Sequence, residues 1–248
     1  MSNYINPGLA EPAAALAAPS RRLVTDAPTR MFHWLFALSF AGAYLTAEGE
    51  HFRLLHVTLG YTMAGLLVFR LLYGLFGPRQ AGLGALWRKL AGAPAWLRGL
   101  TQARAPGQVN WRLGQNLLMA LAVVAMLVMV IPLTVTGYGT YNEWSGEWLK
   151  DLHELAGNAL LFVALAHIGL ILVLSLLRRK NQALPMLTGR APGAGPDLVK
   201  KNRVWLAVLV LVAAMGYVSW EWQRSPGGLI SAHSISRLGS GAHHGDDD

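Results

Sequence analysis

Five stretches of this chain, near residues 30–48, 52–76, 115–138, 151–177 and 204–222, are apolar and long enough to cross a hydrocarbon layer of roughly 30 Å, which takes about 20 helical residues. Within lipid only an α-helix satisfies all its backbone polar groups inside one segment, so each stretch reads as a helix and not as a buried strand. Composition agrees: 53% of the 248 residues are hydrophobic and 14% are charged, against about 25% charged in an ordinary soluble domain. A mean hydropathy of +0.35 also excludes disorder, because chains that stay unfolded combine low hydrophobicity with dense charge. The expected fold is all-α, a four-helix transmembrane bundle plus a fifth transmembrane helix. The sequence has no cysteine, which excludes disulfides, iron–sulfur clusters, cysteine-ligated zinc and thiol nucleophiles together, and leaves metal chemistry to eight histidines.

The net charge of +8 is informative once it is mapped. Seventeen of the 21 Lys and Arg fall towards the side that holds the N-terminus, and only Arg53, Lys150, Arg224 and Arg237 fall on the other. The positive-inside rule then makes the N-terminus cytoplasmic and, after five spans, the C-terminus periplasmic. Acidic residues run the other way: Glu48, Glu50, Glu143, Glu147, Asp151, Glu154, Glu221 and Asp246–Asp248 lie on the outer side. Ordinary residues precede Arg21 and Arg22, and no small-residue cleavage site follows the first apolar block. That block is therefore expected to remain in the mature chain. The organisation read from these features is a cytoplasmic segment 1–24, a four-helix domain 25–180 with an inner loop 77–114, a cytoplasmic linker 181–203, a fifth span 204–222 and a flexible outer tail 223–248. Thr25 or Asp26 is a candidate cap before Pro28, and Pro132 is expected to kink the third span. Trp87, Arg88 and Lys89 with Trp96 and Arg98 in the inner loop read as a short helix lying on anionic headgroups, or as a plain solvated linker.

An ionisable side chain inside a span is costly, so a histidine there is a functional candidate by default. His33, His56, His153 and His167 qualify. His56 and His153 each lie about one turn inside the outer entrance of their span. His167 lies fourteen residues beyond His153, about 21 Å along the axis and only about 40° off in azimuth, so both face one seam. His33 enters with the first span from the inner side. The four therefore sort by depth into an outer pair, His56 with His153, and an inner pair, His33 with His167. Two imidazoles from facing helices, with neither cysteine nor carboxylate beside them, are what a six-coordinate haem iron requires, whereas zinc would want four ligands or an open site with a third protein ligand. Gly60 and Gly157 each follow an outer histidine by four residues on the same face, leaving room for a flat ring or for close helix packing. Arg70, fourteen residues from His56, and Arg30, one turn before His33, are candidates to hold an inner propionate or to snorkel to headgroups. His51 lies in the outer turn, where it is an alternative ligand, a proton acceptor or merely surface.

Thr29-Arg-Met-Phe-His33-Trp34, His56-x-x-x-Gly60 with Arg70, and His153-x-x-x-Gly157 with His167 resemble the bacterial cytochrome b561 group and the related b-type cytochrome subunits of nickel–iron hydrogenases, over roughly residues 25–180. The resemblance implies a four-helix bundle carrying two b haems stacked across the bacterial inner membrane, exchanging electrons with the quinone pool. It implies that His33 and His167 ligate the inner haem and His56 and His153 the outer one. The fifth span, with Trp205, Tyr217, Trp220 and Trp222 at its ends, departs from that pattern. The function expected on these grounds is transmembrane electron transfer between ubiquinone or ubiquinol and a partner. The partner is a periplasmic c-type cytochrome, which the acidic outer face suits, or an attached oxidoreductase. Glu48, His51, Asp151 and Glu154 are outer candidates for proton exchange with a quinone, and Arg30 and Arg70 flank an inner one. The rival within the fold is a superoxide:quinone oxidoreductase, which a basic outer funnel would favour. A rival of another class is a histidine-lined ion or proton transporter, which would recruit carboxylates deep in the spans, and there are none. Nucleic acid is not an expected partner.

Overall fold

The computed structural model describes residues 21–144 and 146–225. The expectations for the first twenty residues and for the tail with His233, His243 and His244 lie outside the described residues. Helix α1 (Ala27–Leu45) begins where the sequence supplies both start signals: Asp26 takes extended backbone and its Oδ1 accepts the Thr29 N–H at 3.2 Å, while Pro28 sits in the first turn. A 3-10 turn (Glu50–Phe52) leads into α2 (Arg53–Phe76). Then follow α3 (Leu83–Leu90), α4 (Ala93–Gln102), α5 (Trp111–Tyr141), α6 (Glu147–Arg178), α7 (Leu184–Thr188) and α8 (Val204–Arg224).

The chain is an all-α membrane bundle. Helix α2 with its leading turn, α5, α6 and α8 are long and apolar enough to cross a membrane. Helix α1, expected as the first of five spans, does not reach that measure, because its 19 residues carry Thr29, Arg30 and His33 near the start. Its length, about 28 Å at 1.5 Å per residue, still nearly matches the hydrocarbon thickness. It packs along α2 and α8, while α2 also packs along α5 and α5 along α6. Helix α2 is the central member: 39% of its most apolar stretch is buried inside the bundle, against 17% for α5 and 11% for α6 and α8. The apolar side chains left outside, such as Leu38, Phe76, Phe162 and Leu176, are those a lipid environment covers. Helix α5 continues on both sides of Pro132, and the hydroxyls of Thr134 and Thr136 bond back to the carbonyls of Val130 and Pro132 at 2.8 and 2.7 Å.

The inner loop contains two short helices in place of the one expected. Trp87 of α3 is exposed, but the Trp96 indole of α4 lies so close to Gly114 that a Cβ there would come within 2.6 Å of it, which docks α4 on α5. The segment expected as a linker is folded as well. Strand β1 (Arg21–Leu23) pairs antiparallel with β2 (Arg190–Pro192), and the Val24 and Thr25 N–H groups both donate to the Gly189 carbonyl. Gly189 has φ +78°, and a Cβ there would lie 2.8 Å from the Thr25 oxygen, so the turn demands glycine. Leu23 N–H donates to Asp197, its carbonyl accepts from Leu198 and Val199, and Ala27 N–H donates to Asn202.

These ties converge on Asp26, which is 2% exposed and accepts the Tyr73 hydroxyl at 2.5 Å; the Arg203 guanidinium reaches the same hydroxyl at 3.4 Å. Changing Asp26 to alanine removes a helix cap, worth about 1 kcal/mol, and orphans a buried hydroxyl at a further 1–3 kcal/mol or so. We expect the thermal midpoint in detergent to fall accordingly, with Asp26→Asn recovering part of the loss. An unchanged midpoint for Asp26→Ala would contradict this account of the inner end.

Candidate functional site

The two outer histidines meet. His56 lies in the first turn of α2 and His153 in the second turn of α6, with ring centroids 5.9 Å apart and ring planes at 79°. Each ring is held by its Nδ1. That of His56 lies 2.8 Å from the Ala43 carbonyl on α1; that of His153 lies 3.0 Å from the Leu133 carbonyl and 3.3 Å from the Thr136 hydroxyl on α5. A carbonyl can only accept, so Nδ1 carries the proton in both rings. The lone pair is therefore on Nε2, the nitrogen that is left to bind a metal. A carbonyl on the far nitrogen is also the usual outer partner of a metal-bound imidazole, fixing tautomer and ring direction together. Nitrogen–metal bonds of about 2 Å on either side of one ion place two imidazole centroids roughly 6 Å apart, a spacing the observed 5.9 Å matches.

The inner pair is built differently. His33, in the second turn of α1, and His167, three turns before the end of α6, lie within electrostatic reach of each other. The Nδ1 of each is buried without a hydrogen-bond partner among the described residues. A buried polar nitrogen left unpaired costs on the order of 1–3 kcal/mol, and, unlike the outer rings, these two have no carbonyl on Nδ1 among the described residues to fix their tautomer. Between the two levels, Met63, Leu67, Val130, Leu133, Ala156 and Leu160 form a buried apolar layer, closed on the α1 side by Phe36 and Phe40.

The glycines discriminate between ring space and helix packing. A Cβ built on Gly60 meets nothing within 4 Å, and one on Gly157 meets only Leu133 Cδ1 at 3.8 Å. Neither glycine is tightly packed, whereas a Cβ on Gly42 or Gly139 would come within 2.7 Å of Leu59 Cδ1 or 2.6 Å of Leu149 Cδ2, and that side-chain end would have to turn away. Gly60→Leu should therefore leave helicity and expression intact while lowering bound pigment. Full pigment in that variant would return Gly60 to a role in the bundle surface alone.

Of the two arginines, Arg30 donates from Nη1 to the Leu187 carbonyl at 3.1 Å and keeps a buried, unpartnered Nε. Arg70 is 7% exposed, and its Nη1 donates to the Ala81 carbonyl at 2.9 Å beside Asp26 and Tyr73, so its contacts run to the loop after α2. His51 is exposed on the 3-10 turn, as are Glu48, Asp151 and Glu154 nearby. Sequence reasoning missed Gly137 of α5: a Cβ there would lie 2.8 Å from His153 Cε1 and 3.1 Å from Nδ1, so this glycine admits the ring. It also missed the Tyr44 hydroxyl, which donates to Asn158 at 2.9 Å and ties α1 to α6 just beyond the outer pair. A glycine within an apolar block gives no sign of what it faces.

Among the described residues no three or more His, Asp or Glu converge on one point, so a metal ion held here would need a further ligand that the described residues do not supply. His56 with His153, and His33 with His167, lie in a membrane helix bundle, an arrangement that suits a group held by paired imidazoles. The model of the family described as prokaryotic cytochrome b561 matches residues 24–189, and the chain belongs to that family. Membership implies transmembrane electron transfer on b haem. No curated protein and no solved structure matches the chain.

Proposed function

We propose that this protein carries electrons across the bacterial inner membrane on two b haems, one held by His56 and His153 and the other by His33 and His167, between the quinone pool and a redox partner. The observation that supports this most is the outer pair, two imidazoles 5.9 Å apart whose Nδ1 atoms are both tied to backbone carbonyls. Haem b, when bound, supplies the one-electron couple. The chain's own part is positional. The carbonyls of Ala43 and Leu133 hold the outer rings and keep the lone pair on Nε2, and the apolar layer around Met63 and Leu160 keeps water from between the two levels. His56 with His153, and His33 with His167, would each hold a haem by two imidazoles, with no position left for a quinone to bind the metal. Arg30, one turn before His33 and with a buried free Nε, is the cation we assign to a propionate of the inner group, and Arg70 supports the loop after α2.

The concentration of Lys and Arg towards the end of the bundle where α1 starts favours a cytoplasmic N-terminus and a periplasmic C-terminus. In that orientation Glu48, Glu50, Glu143, Glu147, Asp151 and Glu154, all exposed, present an acidic periplasmic face to a basic partner such as a c-type cytochrome. Residues 25–180 form the haem domain in this reading, and α8 braces it along α1 and α2. A visible spectrum of the purified full chain tests the proposal: dithionite should produce a sharp α-band, and pyridine haemochrome should give about two haems per chain. A colourless protein from cells supplied with haem would overturn it, and one haem per chain would overturn the assignment of the second pair.

A further inference from the structure

Two hollows adjoin at the end of the bundle where α2 finishes and α8 begins, and they share one residue, Arg203. The first, of about 330 Å³, is lined by Leu72, Phe76, Trp205 and Leu206 on the lipid-facing surfaces of the two helices, with Tyr73 at its floor. The second, of about 480 Å³, is lined by Arg79, Gln80, Lys200, Lys201 and Arg203. Both hollows open widely at the surface, as a site entered from the surrounding lipid would. Arg79, Lys200 and Lys201 are exposed, and none has a hydrogen-bond or ion-pair partner among the described residues. The acid nearest in sequence, Asp197, is occupied by the Leu23 N–H at 2.6 Å.

The basic segment is held in shape. Leu198 and Val199 donate to the Leu23 carbonyl, Asn202 accepts the Ala27 N–H, and Arg203 stands at φ +47°, left-handed backbone that a residue with a side chain adopts at a cost of about 1–2 kcal/mol. Its guanidinium reaches the Tyr73 hydroxyl at 3.4 Å, between the two hollows. Lys200, Lys201 and Arg203 immediately precede one membrane-crossing helix and Arg79 follows another by three residues, which sets all four cations at the level of lipid headgroups. Charge, depth and the adjoining apolar groove name one occupant.

We propose that this end of the bundle carries a specific site for an anionic phospholipid, its phosphodiester on Arg79, Lys200, Lys201 and Arg203 and an acyl chain along the groove of Phe76, Trp205 and Leu206. A basic pocket beside membrane helices binds such headgroups, with each cation contributing about fivefold in association. Diffuse attraction of a basic surface for an acidic bilayer is distinguished from a site by where charge is removed.

The test uses the full chain reconstituted with dibrominated phosphatidylglycerol or dibrominated phosphatidylcholine. The Trp205 contribution to fluorescence quenching is taken by difference from Trp205→Phe. The unmodified chain should favour phosphatidylglycerol by about fivefold or more, and the triple variant Arg79→Gln/Lys200→Gln/Lys201→Gln should lose that preference. Arg88→Gln/Lys89→Gln/Arg98→Gln, which removes the same charge from α3 and α4, should keep it, as should Lys200→Arg/Lys201→Arg. Equal quenching by the two lipids, or equal loss in the two triple variants, would overturn the proposal. Relief of the preference by millimolar inorganic phosphate would overturn it in favour of a soluble phosphate ligand. Compared at matched haem content, every outcome is a difference between two lipids or two variants, so the site stands or falls separately from the electron-transfer reading.

Discussion

Replacing His153 by alanine is expected to leave about one haem per chain where the intact protein holds about two, with one component of the reduced α-band lost and the other retained. The ring has no substitute within reach: among the described residues no third His, Asp or Glu joins the pair, and His51 is exposed on the turn before α2. His56→Ala should give the same spectrum, because either ring alone would leave the pair one imidazole short. His33→Ala should remove the other component. Imidazole added to the His153→Ala protein should restore part of the lost band, since the truncation opens a space of the right size beside the Leu133 carbonyl; a merely destabilised bundle would not respond to it. Retention of both components in His153→Ala would show that the outer ligand lies elsewhere, and His51 would be the next residue to change.

A second large effect is expected from a residue that binds nothing. In Gly137→Val a branched side chain would occupy the space of the His153 imidazole, whose Cε1 lies only 2.8 Å from a Cβ at that position. The ring cannot swing aside without leaving the Leu133 carbonyl and the Thr136 hydroxyl. Loss of such an outer partner of a metal-bound histidine typically weakens binding by about 10–100-fold, so the outer component should fade at haem concentrations that still saturate the inner one. Gly42→Ala is the matching control. Its Cβ would meet the Cδ1 of Leu59 at 2.7 Å, the flexible end of an aliphatic side chain that can turn away, so both components should survive. Equal loss in the two variants would reduce the role of Gly137 to general packing. Titration of apo-protein with haem, followed at the two band positions, separates the cases.

The inner end shows why some of the fold escaped a reading by pattern. Residues 181–203 lack a long apolar period, and a linker was the natural expectation; yet a three-residue strand pair, the Gly189 turn and the bonds of Asp197 and Asn202 fold them against the start of α1. Each of those bonds joins positions more than 160 residues apart, a separation at which local propensity says nothing. The first helix shows the opposite case. Asp26, Pro28 and the following apolar residues predict its start because capping is a matter of three neighbouring residues.

Hydropathy was enough for the membrane bundle and for most of its helices, because helix length and the cost of polar groups in lipid are properties of one helix at a time. Partners were another matter. That His56 bonds the carbonyl of Ala43, that Gly137 faces His153, that Arg70 turns to Ala81 and that the cations of two separated segments meet around Arg203 depend on how helices rotate and lean against one another. Backbone carbonyls are the same at every position and leave no trace in the order of side chains, so contacts made through them come into being only with the packed fold.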